Sequence, residues 1–158
     1  MILYHGSNVD IRTIDLNRSE VGKDFGVGFY LTASKEQAER MAVRRARLYG
    51  GEAIVSVFAF DEASASADGL LIKEFQSYSK DWADFILANR ANGTREQIHQ
   101  YDIVHGPIAN DDVGFQIRRL LAGIITIDIF VEELKYKKGI TFQYFFATER
   151  SIKYLSRV

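Results

Sequence analysis

The sequence predicts an α+β fold in one domain, and three observations carry that prediction. Short runs dense in β-branched and aromatic residues are interleaved with segments of helical periodicity. No repeat recurs at a fixed period, and no linker or low-complexity tract divides the 158 residues. A chain of this length buries roughly 68–70% of the surface its unfolded form exposes, enough to fold without a disulfide, metal or partner.

Taken in order, Ile2 to Tyr4 reads as a first short strand closed by Gly6-Ser7, and Gly22-Lys23-Asp24-Phe25-Gly26-Val27-Gly28 feeds a second over 28–32. Ser34, with Gln37 three residues on, starts a helix over 35–49 whose apolar face is Ala38, Met41, Ala42, Ala46 and Leu48; Gly50-Gly51 stops it. Ala53 to Phe60 reads as a buried strand, 61–69 as a small-residue loop, and Leu70 to Phe75 as a weaker strand. Ser79-Lys80-Asp81 opens a helix carrying Trp82, Phe85, Ile86 and Ala88, which ends near Asn92-Gly93. Tyr101 to Val104 is a strand expected to break at Gly106-Pro107. Asn110, Asp111 or Asp112 caps a helix with Val113, Ile117, Leu120 and Leu121 as its apolar positions. Over 124–135, Ile125, Ile127, Ile129 and Val131 alternate as in a strand, while Thr126 ahead of Phe130, Val131 and Leu134 fits a capped helix; helix is the preferred reading. Thr141 to Phe146 is a strand, and Thr148-Glu149 starts a final helix through Tyr154-Leu155.

Composition removes several function classes. The absence of cysteine excludes thiol catalysis, iron–sulfur clusters, cysteine zinc sites and disulfides, and fits a reducing cytoplasm. A net charge of -1 argues against gripping nucleic acid mainly by phosphate neutralisation. Met1 to Gly6 lacks the features of a signal peptide, and the most apolar stretch, Leu120 to Val131, falls well short of the ~20 residues that span a bilayer, so no membrane partner is expected. His5, His99 and His105 are too scattered to form a metal ligand set. Asp24 follows Gly22-Lys23 where a Walker loop has Ser or Thr, Leu31 stands where a dinucleotide fingerprint has its third glycine, and no Gly-x-Ser-x-Gly occurs. Arg40, Arg44, Arg45 and Arg47 read as a solvated helix face, with phosphate contact as the alternative.

Three strand-borne elements remain: Tyr4-His5-Gly6-Ser7, Gly26-Val27-Gly28-Phe29-Tyr30-Leu31-Thr32 and Thr141-Phe142-Gln143-Tyr144-Phe145-Phe146. Together they resemble the ADP-ribosyltransferase superfamily, in which a His, a Tyr and a carboxylate from three strands line one NAD cleft. Asp81-Trp82-Ala83-Asp84-Phe85, Ala88-Asn89-Arg90, the run from Tyr101 through Gly106-Pro107-Ile108-Ala109-Asn110-Asp111, and Thr148-Glu149-Arg150-Ser151-Ile152 look like a small prokaryotic family of formerly unknown function within that superfamily. The resemblance spans nearly the whole chain. It implies a split antiparallel β-sheet core with flanking helices over 1–158. It also implies transfer of ADP-ribose from NAD, the co-substrate, to a protein or nucleic-acid acceptor. That family is often encoded beside small antitoxin-like proteins, so a bacterial toxin with an antitoxin partner, in a toxin–antitoxin or defence system, is implied as well.

The resemblance assigns catalytic roles to His5, Tyr30 and Gln143 and NAD contacts to Tyr4, His5, Gly6, Ser7, Gly28, Tyr30, Thr32 and Met41. The chemistry suits these types. Cleaving the nicotinamide–ribose bond passes through an oxocarbenium-like state. The Tyr30 face offers a platform for the cationic ring, worth ~1–2 kcal/mol when desolvated. His5 can bond a ribose hydroxyl, Ser7 can assist, and Gly6 lets its backbone approach the carboxamide. Met41 stands where the superfamily has a second aromatic. Gln143 replaces the usual Glu, and Phe145 removes the Gln-x-Glu variant; other members of the resembled family carry Gln here too. Gln143 can hold a ribose hydroxyl but brings no charge. Glu149, Asp111 and Asp24 are then the candidates for deprotonating an acceptor. Each residue also has a plain structural reading: a half-buried strand histidine, a core aromatic, a polar edge glutamine, and glycines of a simple turn. Two rivals stand beside the transferase: a degenerate binding module of the same fold, and an RNA-cleaving toxin that pairs His5 with His99 or His105.

Overall fold

A computed structural model describes residues 1–135 and 137–158. The strands are β1 (Ile2–Ser7), β2 (Phe29–Leu31), β3 (Ile54–Phe60), β4 (Ile72–Glu74), β5 (Ile103–Pro107), β6 (Phe142–Phe146) and β7 (Leu155–Arg157). The α-helices are α1 (Lys35–Tyr49), α2 (Glu62–Ala67), α3 (Lys80–Ala91), α4 (Asp111–Leu121), α5 (Ile127–Leu134) and α6 (Glu149–Ile152), with a 3-10 turn at Leu16–Arg18. The α+β prediction holds.

Side-chain caps set the helix starts. Ser34, Asp61, Ser79, Asn110, Thr126 and Thr148 each accept from a backbone N–H of the first turn, satisfying a donor the helix itself cannot pair. One of these caps and the end of the last helix correct the sequence reading. Asp61 turns the expected loop at 61–69 into α2. Thr148 does start a helix, but α6 stops at Ile152, and Leu155–Arg157 extends along β3 instead of continuing it. Thr126 decides 124–135 in favour of helix, because Phe130 and Leu134 then share one buried face. β5 runs through Gly106-Pro107 instead of breaking there. Gly106 pairs with Gln143, and a Cβ at Gly106 would crowd Phe25 and Phe75.

The strands form two sheets, one ordered β1-β3-β7 and one ordered β2-β6-β5-β4. The first is antiparallel throughout, whereas β4 runs parallel to β5, so the second is mixed and not purely antiparallel as expected. Alternation along β2, β5 and β6 gives the second sheet two apolar faces. Phe29, Ile103 and Phe146 pack with Leu3 and Phe58 of the first sheet. Val104 and Phe145 pack with Phe25, Trp82, Ile86, Val113, Ile117 and Phe130 beneath the helices. No helix among the described residues is long and apolar enough to cross a membrane.

Among the described residues, one backbone bridge joins the two sheets. Tyr4 and Thr32 exchange both backbone hydrogen bonds, N to O at 2.8 and 2.9 Å, and beyond that bridge β1 and β2 part.

Candidate functional site

A cleft of about 640 Å³ opens at this fork. Its lining brings together every residue to which the resemblance assigned catalysis or NAD contact: Tyr4, His5, Gly6, Ser7, Gly28, Tyr30, Thr32, Met41 and Gln143. The volume falls within the roughly 300–1,000 Å³ of small-molecule sites.

The fork follows from the ladder. Because Tyr4 exchanges both bonds with Thr32, alternation turns the N–H and C=O of His5 toward β3 and those of Gly6 toward β2. A continued ladder would pair Gly6 with Tyr30. Instead, the His5 ring enters the gap, and its Nδ1 lies 2.8 Å from the Tyr30 carbonyl oxygen. A carbonyl only accepts, so Nδ1 carries the proton and Nε2 is left as an acceptor. The ring stacks on Phe29 at 4.6 Å, and burial, reinforced by the Arg45 charge, holds the His5 pKa below 6.5 against the opposing pull of the Tyr30 carbonyl. His5 is therefore a neutral, fixed acceptor at neutral pH.

Tyr30 is fixed at both ends. Its ring lies 4.8 Å from that of Phe145, and its hydroxyl accepts from Phe25 N at 3.0 Å and donates to Gly26 O at 2.8 Å. Burial is the main cause that pushes the phenol pKa well above 10.0. The hydroxyl is thus a structural tie to the loop ahead of β2, and Tyr30 as a residue lines the cleft.

The other assigned residues divide. Gly6 sits where a Cβ would overlap the Ala38 carbonyl oxygen, so contact with α1 by itself requires glycine. A Cβ on Gly28 would strike the Phe145 ring. The Thr32 hydroxyl donates to Phe142 O at 3.1 Å and accepts from Ser34 N at 3.1 Å, so its polar capacity is used inside the fold. Ser7 is buried, and its Oγ accepts from Val9 N at 3.4 Å. Met41 lines the cleft at 45% exposure.

Gln143 lies on β6 with Tyr30's neighbour Phe145, two residues on and on the same face. Its Nε2 donates to Asp24 Oδ2 at 3.5 Å, and Arg90 Nε donates to Asp24 Oδ1 at 2.7 Å. Of the candidate bases, only Asp24 lines the cleft; Asp111 lies in α4 and Glu149 in α6, outside it. His99 and His105 are outside it too. His99 Nε2 lies 2.8 Å from Phe25 O, and His105 stacks on Tyr144 at 4.1 Å, so the histidines are not gathered. Among the described residues, no group of three or more His, Cys, Asp or Glu is placed to hold a metal ion.

A family model described as protein of unknown function (DUF3990) matches residues 1–156. The chain belongs to that family. No curated protein and no solved structure matches it. In this DUF3990 chain, several cleft residues carried no sequence signal. Arg45 separates from its run to line the cleft, where its Nη1 lies 3.3 Å from Glu20 Oε1, while Arg40, Arg44 and Arg47 share a shallow outer face of α1. Arg18 and Lys23 join Arg45 at the cleft, and Lys23 Nζ lies 2.6 Å from Glu20 Oε2. Residues 16–28 are held by side chains from 90–99. Arg95 donates to the carbonyls of Leu16, Asn17 and Ser19, Gln97 donates to Val27 O, and Arg90 grips Asp24. Nothing local to either segment signals this partnership.

Proposed function

We propose that the cleft binds NAD and transfers its ADP-ribose to a macromolecular acceptor. One observation carries the reading: at the fork, where β1 and β2 part after one bridge, Gly6, His5 and Tyr30 line a single cleft, with His5 Nδ1 hydrogen-bonded to the Tyr30 carbonyl and its Nε2 left as an acceptor. The Gly6 N–H and C=O match the donor and acceptor of a carboxamide, the Tyr30 ring suits a pyridinium, and His5 Nε2 can accept from a ribose hydroxyl. Arg18, Lys23 and Arg45 suit a pyrophosphate.

In the transfer, the C1′–N1 bond breaks and its electron pair goes to the pyridinium nitrogen, so nicotinamide leaves neutral. An acceptor oxygen or nitrogen forms the new bond to C1′ and gives up its proton to solvent. The acceptor is a protein or a nucleic acid. The same reading implies a cytoplasmic toxin controlled by a small antitoxin.

Incubation with labelled NAD and a cell lysate is expected to release nicotinamide and label an acceptor. Tyr30→Ala should lose both, while Tyr30→Phe, which keeps the ring, should retain NAD binding. Absence of NAD binding by the unmodified protein sinks the proposal. Gln143 in the usual carboxylate position favours a second reading, a binding module that holds NAD without turnover; it predicts thermal stabilisation by NAD with no nicotinamide released.

A further inference from the structure

We infer that Asp24 supplies the negative charge that the strand position Gln143 lacks, acting through the Gln143 carboxamide. The inference rests on the NAD-cleaving reading above. Asp24 is 16% exposed, lines the cleft, and is gripped through Oδ1 by Arg90, which leaves Oδ2 toward Gln143. A carboxylate only accepts here, so the Gln143 group facing it is the NH₂ and Oε1 is turned away from it. That orientation makes Oε1 the acceptor available to a ribose 2′-hydroxyl, while the charge behind it polarises the amide. Together, the two side chains divide what one glutamate does: Gln143 accepts from the ribose, and Asp24, whose charge is shared with Arg90 at 2.7 Å, polarises the amide that does so. Asp24 is thus a positioning residue, and Arg90 fixes it.

The loop places it there. Gly22 and Gly26, at φ of +72° and +104°, let the chain turn on either side of Asp24, and the Tyr30 hydroxyl ties the next two residues through Phe25 N and Gly26 O. The carboxylate is therefore set beside the Tyr30 platform by the same contacts that fix that platform.

Hydrolysis of NAD is the reaction to measure, because it needs no identified acceptor. The C1′–N1 bond breaks with its electrons going to the ring nitrogen, a water oxygen bonds to C1′, and the water's proton goes to solvent. Asp24→Asn, which keeps shape and removes charge, should lower kcat for nicotinamide release about 100-fold and leave NAD affinity within about threefold of the unmodified protein. Asp24→Asn with Gln143→Glu returns a carboxylate to the strand and should recover most of that loss; Gln143→Glu alone should give no comparable gain. A role confined to holding the loop predicts no recovery, and that result overturns the inference. So does an unchanged kcat in Asp24→Asn. If the unmodified protein binds NAD but releases no nicotinamide, the inference falls and the binding module stands. If it does not bind NAD, both the inference and the proposed function fall.

Discussion

On one side of the cleft, β1 lies so close to α1 that Gly6 leaves no room for a side chain against the Ala38 carbonyl. On the other side, residues 16–28 contain only a 3-10 turn, and their place is set by side chains of Arg90, Arg95, Gln97 and His99 that bond its carboxylate and carbonyls. The first wall is held by backbone packing, which is close and cooperative. Apart from Phe25, which is anchored in the core, the second is held by side-chain hydrogen bonds, those of Arg95 exposed, which open locally at lower free energy. A ligand enclosed between them meets one rigid wall and one that can yield, so binding should order the loop wall much more than the helix wall.

Substitutions at the two glycines test that contrast. Gly6→Val forces a branched side chain into the backbone of α1 and should destabilise the whole protein on the order of 3 kcal/mol, read as a lower urea midpoint. Gly26→Ala has a different mechanism and reach. It places a Cβ at a positive φ and against the Gln97 carboxamide, a flexible neighbour, so strain of about 1–3 kcal/mol should appear chiefly as faster amide exchange over 19–28 and as weaker binding of the proposed ligand, NAD. If Gly26→Ala lowered the urea midpoint as far as Gly6→Val does, the two walls would be one cooperative unit and the contrast would be wrong.

Acidification is a gentler probe of the loop wall. His99 is used at both nitrogens, with Nε2 donating to Phe25 O and Nδ1 accepting from Tyr101 N at 3.2 Å. Burial holds its pKa, like that of His5, below 6.5. Below that pH the unfolded chain therefore binds more protons than the folded one. The stability given by the neutral rings is whole above 6.5 and is lost as the pH falls through their folded values. Tm should drop between pH 7.5 and 5.5, by roughly 2–4 °C for each kcal/mol lost, and exchange over 19–28, corrected for its intrinsic pH dependence, should rise more than in α1.

How much was legible follows from how local each signal is. Ser34, Ser79, Asn110 and Thr126 announce their helices because a cap acts within one turn. The Asp61 cap is masked by the small residues around it, and the helix expected through Tyr154-Leu155 runs past its true end because β7 exists only by pairing with β3, about a hundred residues earlier in sequence. Among site residues, His5, Tyr30 and Gln143 each sit in a recognisable strand run. Arg95 and Gln97 have no such setting; their partners are 70 or more residues away.

The sequence alone determined the α+β class, most of the helix starts, the absence of thiol chemistry and the three strand runs that carry His5, Tyr30 and Gln143, because composition, capping and strand patterning are written in neighbouring residues. Tertiary structure alone decided that β1 and β2 separate after a single bridge, that Gly6 is demanded by α1, and that Asp24 reaches Gln143 under the grip of Arg90. Each of these depends on groups brought together only when distant segments pack, and a hydrogen bond between residues 119 positions apart leaves no mark on the chain around either one.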